Sequence, residues 1–188
     1  MSSIIKVDQI QLADGSTPTA ADLGLNVTGA VLQVVQTVMD DNLSYSTSSA
    51  YDIPGMAVTI TPTSATSKFL IRCQLHYGQG ASSAPDDFVV RLRLKRNGTE
   101  LPYTVDSGRT SGDYSVYKEG YGTLDMDVAS FERLDSPSTT DTLTYQVTGY
   151  NGGWSTNPVM YNRPYRFDNN DYVISRARST LTVMEIAG

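Results

Sequence analysis

Apolar and polar residues alternate along much of this chain with a period of two, the pattern of strands with one buried and one wetter face. The clearest stretch is Lys68 to Tyr77, where Phe69, Ile71, Cys73, Leu75 and Tyr77 alternate with Leu70, Arg72, Gln74 and His76. From Phe88 to Lys95 the alternation is cleaner. Phe88, Val90, Leu92 and Leu94 point one way, Arg91, Arg93 and Lys95 the other, and Asn97-Gly98 follows as a hairpin turn. This predicts a half-exposed antiparallel strand. Further strands are expected at Val31 to Met39, Met56 to Thr61, Tyr121 to Phe131, Leu143 to Tyr150, Tyr172 to Ser175 and Thr180 to Ile186. Helical periodicity is nearly absent, and a single turn at Thr19 to Leu23, capped by Thr19 and stopped by Gly24, is the one place for it. Strands joined by turns without helical crossovers predict an all-β chain: an antiparallel β-sandwich, or jelly roll, over residues 30–188. Residues 1–29 form a short extended N-terminal arm, with alternation from Ile4 to Leu12, a turn at Ala13-Asp14-Gly15-Ser16 and a polar connector up to Gly29. The arm has too few apolar residues to bury much alone, so it is expected to be held by sister chains or by another protein.

Composition narrows the function. A chain of 188 residues with 39% hydrophobic content can bury the core of one full domain. Its net charge is −6 and its basic residues fall on one strand and in scattered loops, which argues against nucleic-acid binding. No apolar run approaches the ~20 residues that span a bilayer, so membrane insertion is not expected. Met1 to Ile10 lacks the basic start and apolar stretch of a secretory signal, so ordinary export is not expected either. Without such a signal, the sequons at Asn26, Asn42 and Asn97 read as turn chemistry. Cys73 is the one cysteine, which leaves stability to packing or oligomerisation. Residues 42–67 carry a single charge, Asp52, and read as a segment lying on a neighbouring subunit.

Candidate chemistry is sparse. Cys73 and His76 are three positions apart on a strand, hence on opposite faces, and cannot share a metal ion or act as nucleophile and base. Asp125 and Asp127 share a face, but a catalytic carboxylate pair normally comes from different elements, and a solvated acidic face accounts for them. Asp168-Asn169-Asn170-Asp171 offers oxygen ligands but lacks the spacing of a calcium loop, and reads as a turn. The chain is therefore expected to be no enzyme, with no catalytic residue, metal or cofactor. Tyr114, Tyr117, Tyr121, Tyr150, Trp154, Tyr161 and Tyr165 fall in or beside Gly-rich and Pro-rich stretches. Rings so placed either present flat faces to a sugar or protein, or fill gaps between loops and subunits. Asn151 to Asn170 reads as one long loop, which makes Trp154, Tyr161, Arg163 and Tyr165 the receptor-contact candidates.

Several strings resemble trimeric appendage proteins of tailed bacteriophages, especially fibre and head-decoration proteins of marine and cyanobacterial phages. They are Ile5-Lys6-Val7-Asp8-Gln9-Ile10 followed by Ala13-Asp14-Gly15, then Gly29-Ala30-Val31-Leu32-Gln33-Val34-Val35-Gln36, and the ending Ser179-Thr180-Leu181-Thr182-Val183-Met184-Glu185-Ile186. The middle resembles the C1q/TNF-type jelly roll common in such domains, through Thr59-Ile60-Thr61-Pro62, Lys68-Phe69-Leu70-Ile71 and Leu94-Lys95-Arg96-Asn97-Gly98. The resemblance implies a homotrimer located in the virion. Its arm, through Ile5, Val7, Ile10 and Leu12, would attach to tail, baseplate or capsid proteins, while the globular domain faces outward towards a host-surface glycan or protein. Two alternatives stand beside this structural role: a carbohydrate-binding recognition domain, and a polysaccharide-cleaving tailspike. Against the tailspike, the chain has no internal repeat of the kind that builds a long β-helix.

Overall fold

The computed structural model describes residues 10–18, 28–79, 88–103, 111–118, 125–152, 158–166 and 175–188. Among them it forms strands and no helix: β1 (Val31–Met39), β2 (Leu43–Tyr45), β3 (Tyr51–Ile60), β4 (Lys68–Gln79), β5 (Phe88–Arg96), β6 (Thr99–Glu100), β7 (Tyr114–Lys118), β8 (Met126–Asp135), β9 (Leu143–Gly152), β10 (Val159–Tyr161) and β11 (Ser179–Ile186). Every pairing between them is antiparallel. In the first sheet β4 takes β8 along one edge, and β11 then β10 along the other; β1 flanks β11 and β2 flanks β10. In the second sheet β9 joins β3 to β5, whose far edge carries β6 and β7. Setting the short β2, β6 and β10 aside, the strand orders are β1-β11-β4-β8 and β3-β9-β5-β7. A chain that passes between two antiparallel sheets in this order is a jelly-roll sandwich.

Alternation places the core as expected. Phe69, Ile71, Cys73, Leu75 and Tyr77 of β4 are at most 1% exposed, and face Val90, Leu92 and Leu94 of β5 and Tyr145 and Val147 of β9. Asn97 and Gly98 both take left-handed backbone, φ 48° and 81°, as a tight hairpin turn between β5 and β6 requires. The turn at Ala13 to Ser16 also forms, with Asp14 accepting from the Ser16 amide and hydroxyl.

Three expectations are corrected. Residues 42–67 are not a surface segment: β3 runs through them from Tyr51, and Ile53, Met56, Val58 and Ile60 are core residues. Pro54-Gly55 hid the first half of this strand, because Gly55 (φ 77°) marks a bulge at which the register with β9 shifts. The strand expected to end at Phe131 continues to Asp135. Its alternation is masked because two inward positions, Arg133 and Asp135, are charged. Finally, Asn151 to Asn170 is not one loop, since β9 extends to Gly152 and β10 lies inside it. The Thr19 to Leu23 turn and residues 172–174 of the expected Tyr172 to Ser175 strand lie outside the described residues.

The masked alternation of β8 leads to what ties the sheets together. Arg133 of β8 donates to Asp113 at 2.6 Å and to the Pro102 carbonyl, while Asp113 also accepts from the Leu94 amide. Asp135 of β8 takes both hydrogen bonds of the Arg96 guanidinium, at 2.7 and 2.9 Å, and the Tyr145 hydroxyl at 2.8 Å. Two tyrosine pairs do the same across the sandwich: Tyr77 with Tyr114 at 3.1 Å, and Tyr161 with Tyr51 at 2.8 Å. Buried polar groups are thus matched between sheets, which fixes how one sheet lies over the other. At the end of β11, Glu185 is fully buried and accepts from the Thr63 amide and hydroxyl, both at 2.7 Å, and from Gln33 at 2.5 Å. It thereby latches the loop between β3 and β4.

Leu92 and Arg93 test the register. Leu92→Ala leaves a cavity between the sheets and should cost about 2–5 kcal/mol in urea unfolding. Arg93→Ala loses a pair with Glu100 and a contact with the Tyr103 ring, and should cost about 1 kcal/mol. Equal losses would contradict the assigned faces.

Glu185 makes stability depend on acid. Burial alone would raise its pKa, but its hydrogen-bond donors outweigh burial and hold it below the ordinary glutamate value. A lowered folded-state pKa gives stability that is present above the unfolded-state value, about 4.3, and is lost as pH falls through the folded value. Glu185→Gln should therefore lower the melting temperature at pH 7 and flatten its decline below pH 4.5. An unchanged acid limb would show that Glu185 is not the group responsible.

Candidate assembly and recognition surfaces

The outward side chains of the first sheet line up in rows across its strands. Val34, Met184, Leu70 and Leu134 are consecutive register partners on β1, β11, β4 and β8, and form one apolar row. Val34 and Leu134 at its two ends are each 56% exposed. Beyond Val34, Val31 pairs with Ile186 and extends the apolar end. The next row is polar, Gln36, Thr182, Arg72 and Glu132, closed by Gln36 on Thr182 at 2.7 Å and by the Arg72–Glu132 ion pair at 2.6 Å. A third row follows with Val38, Thr180, Gln74 and Ser130, then His76 beside Val128. The two polar rows line a shallow hollow of about 450 Å³.

Of the eight large apolar side chains that stand exposed among the described residues, five are on this face: Val31, Val34, Val38, Val128 and Leu134. Ile10 and Leu12, two of the arm's attachment candidates, are two more, while Ile5 and Val7 lie outside the described residues. The eighth, Tyr117, is on the opposite sheet. Isolated exposed apolar residues are ordinary, whereas larger contiguous apolar patches are a feature of surfaces that bind other molecules.

Of the receptor-contact candidates, Arg163 and Tyr165 lie towards the surface, Tyr161 does not, and Trp154 lies outside the described residues. Tyr161 is a core residue, fully buried in β10 with its hydroxyl on Tyr51 and its ring 6.1 Å from Tyr45. Burial, reinforced by the neighbouring Tyr51 hydroxyl, pushes its pKa well up, and the ring is out of reach of any receptor. Its place in a strand is hidden in the sequence because β10 is only three residues long and its apolar run is too short to show a period. The next residue, Asn162, is also buried, with left-handed backbone, φ 61°. Its side chain donates to the Met39 and Asp41 carbonyls and accepts from Ser179, and its amide donates to the His76 carbonyl. This one residue joins the ends of β1, β4 and β11. Arg163 and Tyr165 follow on the surface side, both half-buried, with the Arg163 and Pro164 backbone pressed on Gly78: a Cβ there would meet the Arg163 carbonyl at 2.6 Å. Trp154 and the Asp168 to Asp171 turn lie outside the described residues.

Cys73 and His76 take opposite faces, Cys73 in the core and His76 on the outer face. Burial, with a smaller contribution from Asp113, pushes the Cys73 thiol up to about 12, so it is not a nucleophile at neutral pH. The His76 Nδ1 is buried without a hydrogen-bond partner. Asp127 lies in β8 opposite Tyr77 and Asp125 just before the strand, and each is engaged within the chain. Among the described residues no three His, Cys, Asp or Glu side chains are grouped to hold a metal ion.

The apolar row was not read from the sequence, although a signal for it exists. In Val34-Val35 and Leu70-Ile71 both alternating sets are apolar, which a strand with one wet face does not need. No protein-family profile matches the chain, and no curated protein sequence matches it.

Proposed function

We propose that this chain is a non-enzymatic structural component of a bacteriophage virion, a homotrimeric fibre or decoration protein whose copies pack through the outer face of the β1-β11-β4-β8 sheet. The observation that carries this reading is the exposed row Val34, Met184, Leu70 and Leu134. Its neighbouring row favours copies of the same chain as the covering molecule. Arg72 and Glu132 lie side by side there, each more than half exposed, so the Arg72 of one copy can reach the Glu132 of the next while the apolar rows close beside them.

The arm suits attachment. It joins β1 at Gly29 and Ala30, where the Gly29 amide donates to the Ala187 carbonyl and the Ala187 amide to the Ala30 carbonyl. The arm therefore leaves the sandwich beside the far end of β11, and Ile10 and Leu12 stay uncovered for another virion protein. The resemblance of residues 5–15 to phage appendage proteins supplies the identity of that partner.

Light scattering on the full chain should give three times the 20.4 kDa chain mass, and Val34→Asp with Leu134→Asp should reduce it to one while the circular dichroism of the sandwich persists. In purified particles, the protein lacking residues 1–29 should be missing. A wild-type monomer at micromolar concentration would contradict the assembly, and particle incorporation without the arm would contradict the attachment.

A further inference from the structure

The opposite face of the sandwich contains an unmatched cation. On β5, Val90, Leu92 and Leu94 point into the core, so Arg91, Arg93 and Lys95 stand on the outer face of the second sheet. Arg93 has Glu100, and Lys95 has Asp52 at 2.7 Å. Elsewhere Arg72, Arg96, Arg133 and Arg178 each have a carboxylate. Arg91 has none among the described residues: its guanidinium lies over the Tyr150 ring, 5.1 Å from the centroid, and its Nε is buried with no acceptor. A donor set that is partly desolvated and left unpaired is costly to keep, unless a ligand completes it.

Its surroundings indicate what kind of ligand. Ser115 on β7 and Tyr150 on β9 are the register partners of Arg91 on either side. One step along, Tyr117 pairs with Val89, which places its ring diagonally across from Arg91 on the same face. Diagonal neighbours in a sheet are about 7–8 Å apart at the backbone, and the Arg91 guanidinium lies towards Tyr150 on β9, away from β7, which leaves room for a sugar ring between it and Tyr117. Tyr117 is 52% exposed, the one large apolar side chain offered by this face among the described residues. The Tyr150 ring under the guanidinium, 5.1 Å from it, restricts where its donors can go before anything binds.

We propose that the outer face of the second sheet is a binding site for an acidic saccharide, with the Arg91 guanidinium taking the carboxylate and the Tyr117 ring carrying the apolar face of the sugar. A planar guanidinium matches a carboxylate with two parallel hydrogen bonds. The Ser115 hydroxyl, opposite Arg91, is placed to meet a ring hydroxyl. An acidic peptide fits less well, because one exposed ring gives it no series of side-chain pockets. This site is independent of the assembly face, which is on the other sheet.

The test uses the full chain and four probes, followed by saturation-transfer NMR and calorimetry: digalacturonate, its neutral methyl ester, acetate and a glutamate-rich peptide. Digalacturonate should bind with saturation transfer to its ring protons. The ester should bind at least about tenfold more weakly, as should digalacturonate to Arg91→Gln, which loses charge-assisted hydrogen bonds. Tyr117→Ala should weaken binding several-fold. Circular dichroism confirms that both variants remain folded. Equal binding of the ester, or indifference to Arg91→Gln, would overturn the proposal. So would acetate binding as tightly as the sugar, since the site would then take a bare anion, or a glutamate-rich peptide binding more tightly than digalacturonate.

Discussion

Strand β4 buries one face completely, while the other, from Leu70 to Gln74, stays partly or fully exposed among the described residues. The inward set, Phe69, Ile71, Cys73, Leu75 and Tyr77, forms the middle of the sandwich core and is sealed by the second sheet. Both edges of β4 are occupied, by β8 on one side and by β11 and β10 on the other, so the first sheet is built around it. The outward set, Leu70, Arg72, Gln74 and His76, is then held in fixed register with Val34, Met184 and Leu134. The apolar row is therefore a direct consequence of how the core is made, since the register that buries Ile71 also exposes Leu70.

The cross-sheet ties determine where the tyrosines are used. Tyr51, Tyr77, Tyr145 and Tyr161 have their rings in or against the core, with their hydroxyls on partners from the opposite sheet. These four of the twelve tyrosines are thus accounted for within one chain. Arg133 and Asp135 serve the same purpose as the rings: each is an inward polar group whose partners come from the second sheet. Packing of the two layers is specified by these matched groups as much as by apolar shape.

What could be read from the sequence follows from the same physics. Alternation identified β4 and β5 most plainly, because the inward sets Phe69 to Tyr77 and Val90 to Leu94 are apolar, and it also found β1, β9 and β11, although β11 buries Ser179 and Glu185 beside Leu181 and Val183. It missed the first half of β3, where Pro54-Gly55 interrupts the period, and the last third of β8, where the inward residues are charged and their partners lie far off in sequence. It also assigned Tyr161 to a surface loop, because three residues are too few to show a period, and burial there depends on Tyr45 and Tyr51 from distant strands. Of the two surfaces now singled out, the first leaves only the local traces Val34-Val35 and Leu70-Ile71 and the second none, for a similar reason. A row across four strands, or an arginine without a carboxylate, is a property of register and neighbours, which no single stretch of chain displays.

In the proposed assembly the two outer faces have different fates: the β1-β11-β4-β8 face is covered by sister copies, while the face with Arg91 and Tyr117 stays open to solvent. Leu134 and Tyr117 make a matched pair for deciding this, since in the single chain they are 56% and 52% exposed. Hydroxyl-radical footprinting of the native protein, with each residue referred to its own rate in denatured chain, reads the two directly. The account predicts strong protection of Leu134, with Met184 beside it, and little protection of Tyr117. Equal labelling of Leu134 and Tyr117, or protection of Tyr117 alone, would contradict it.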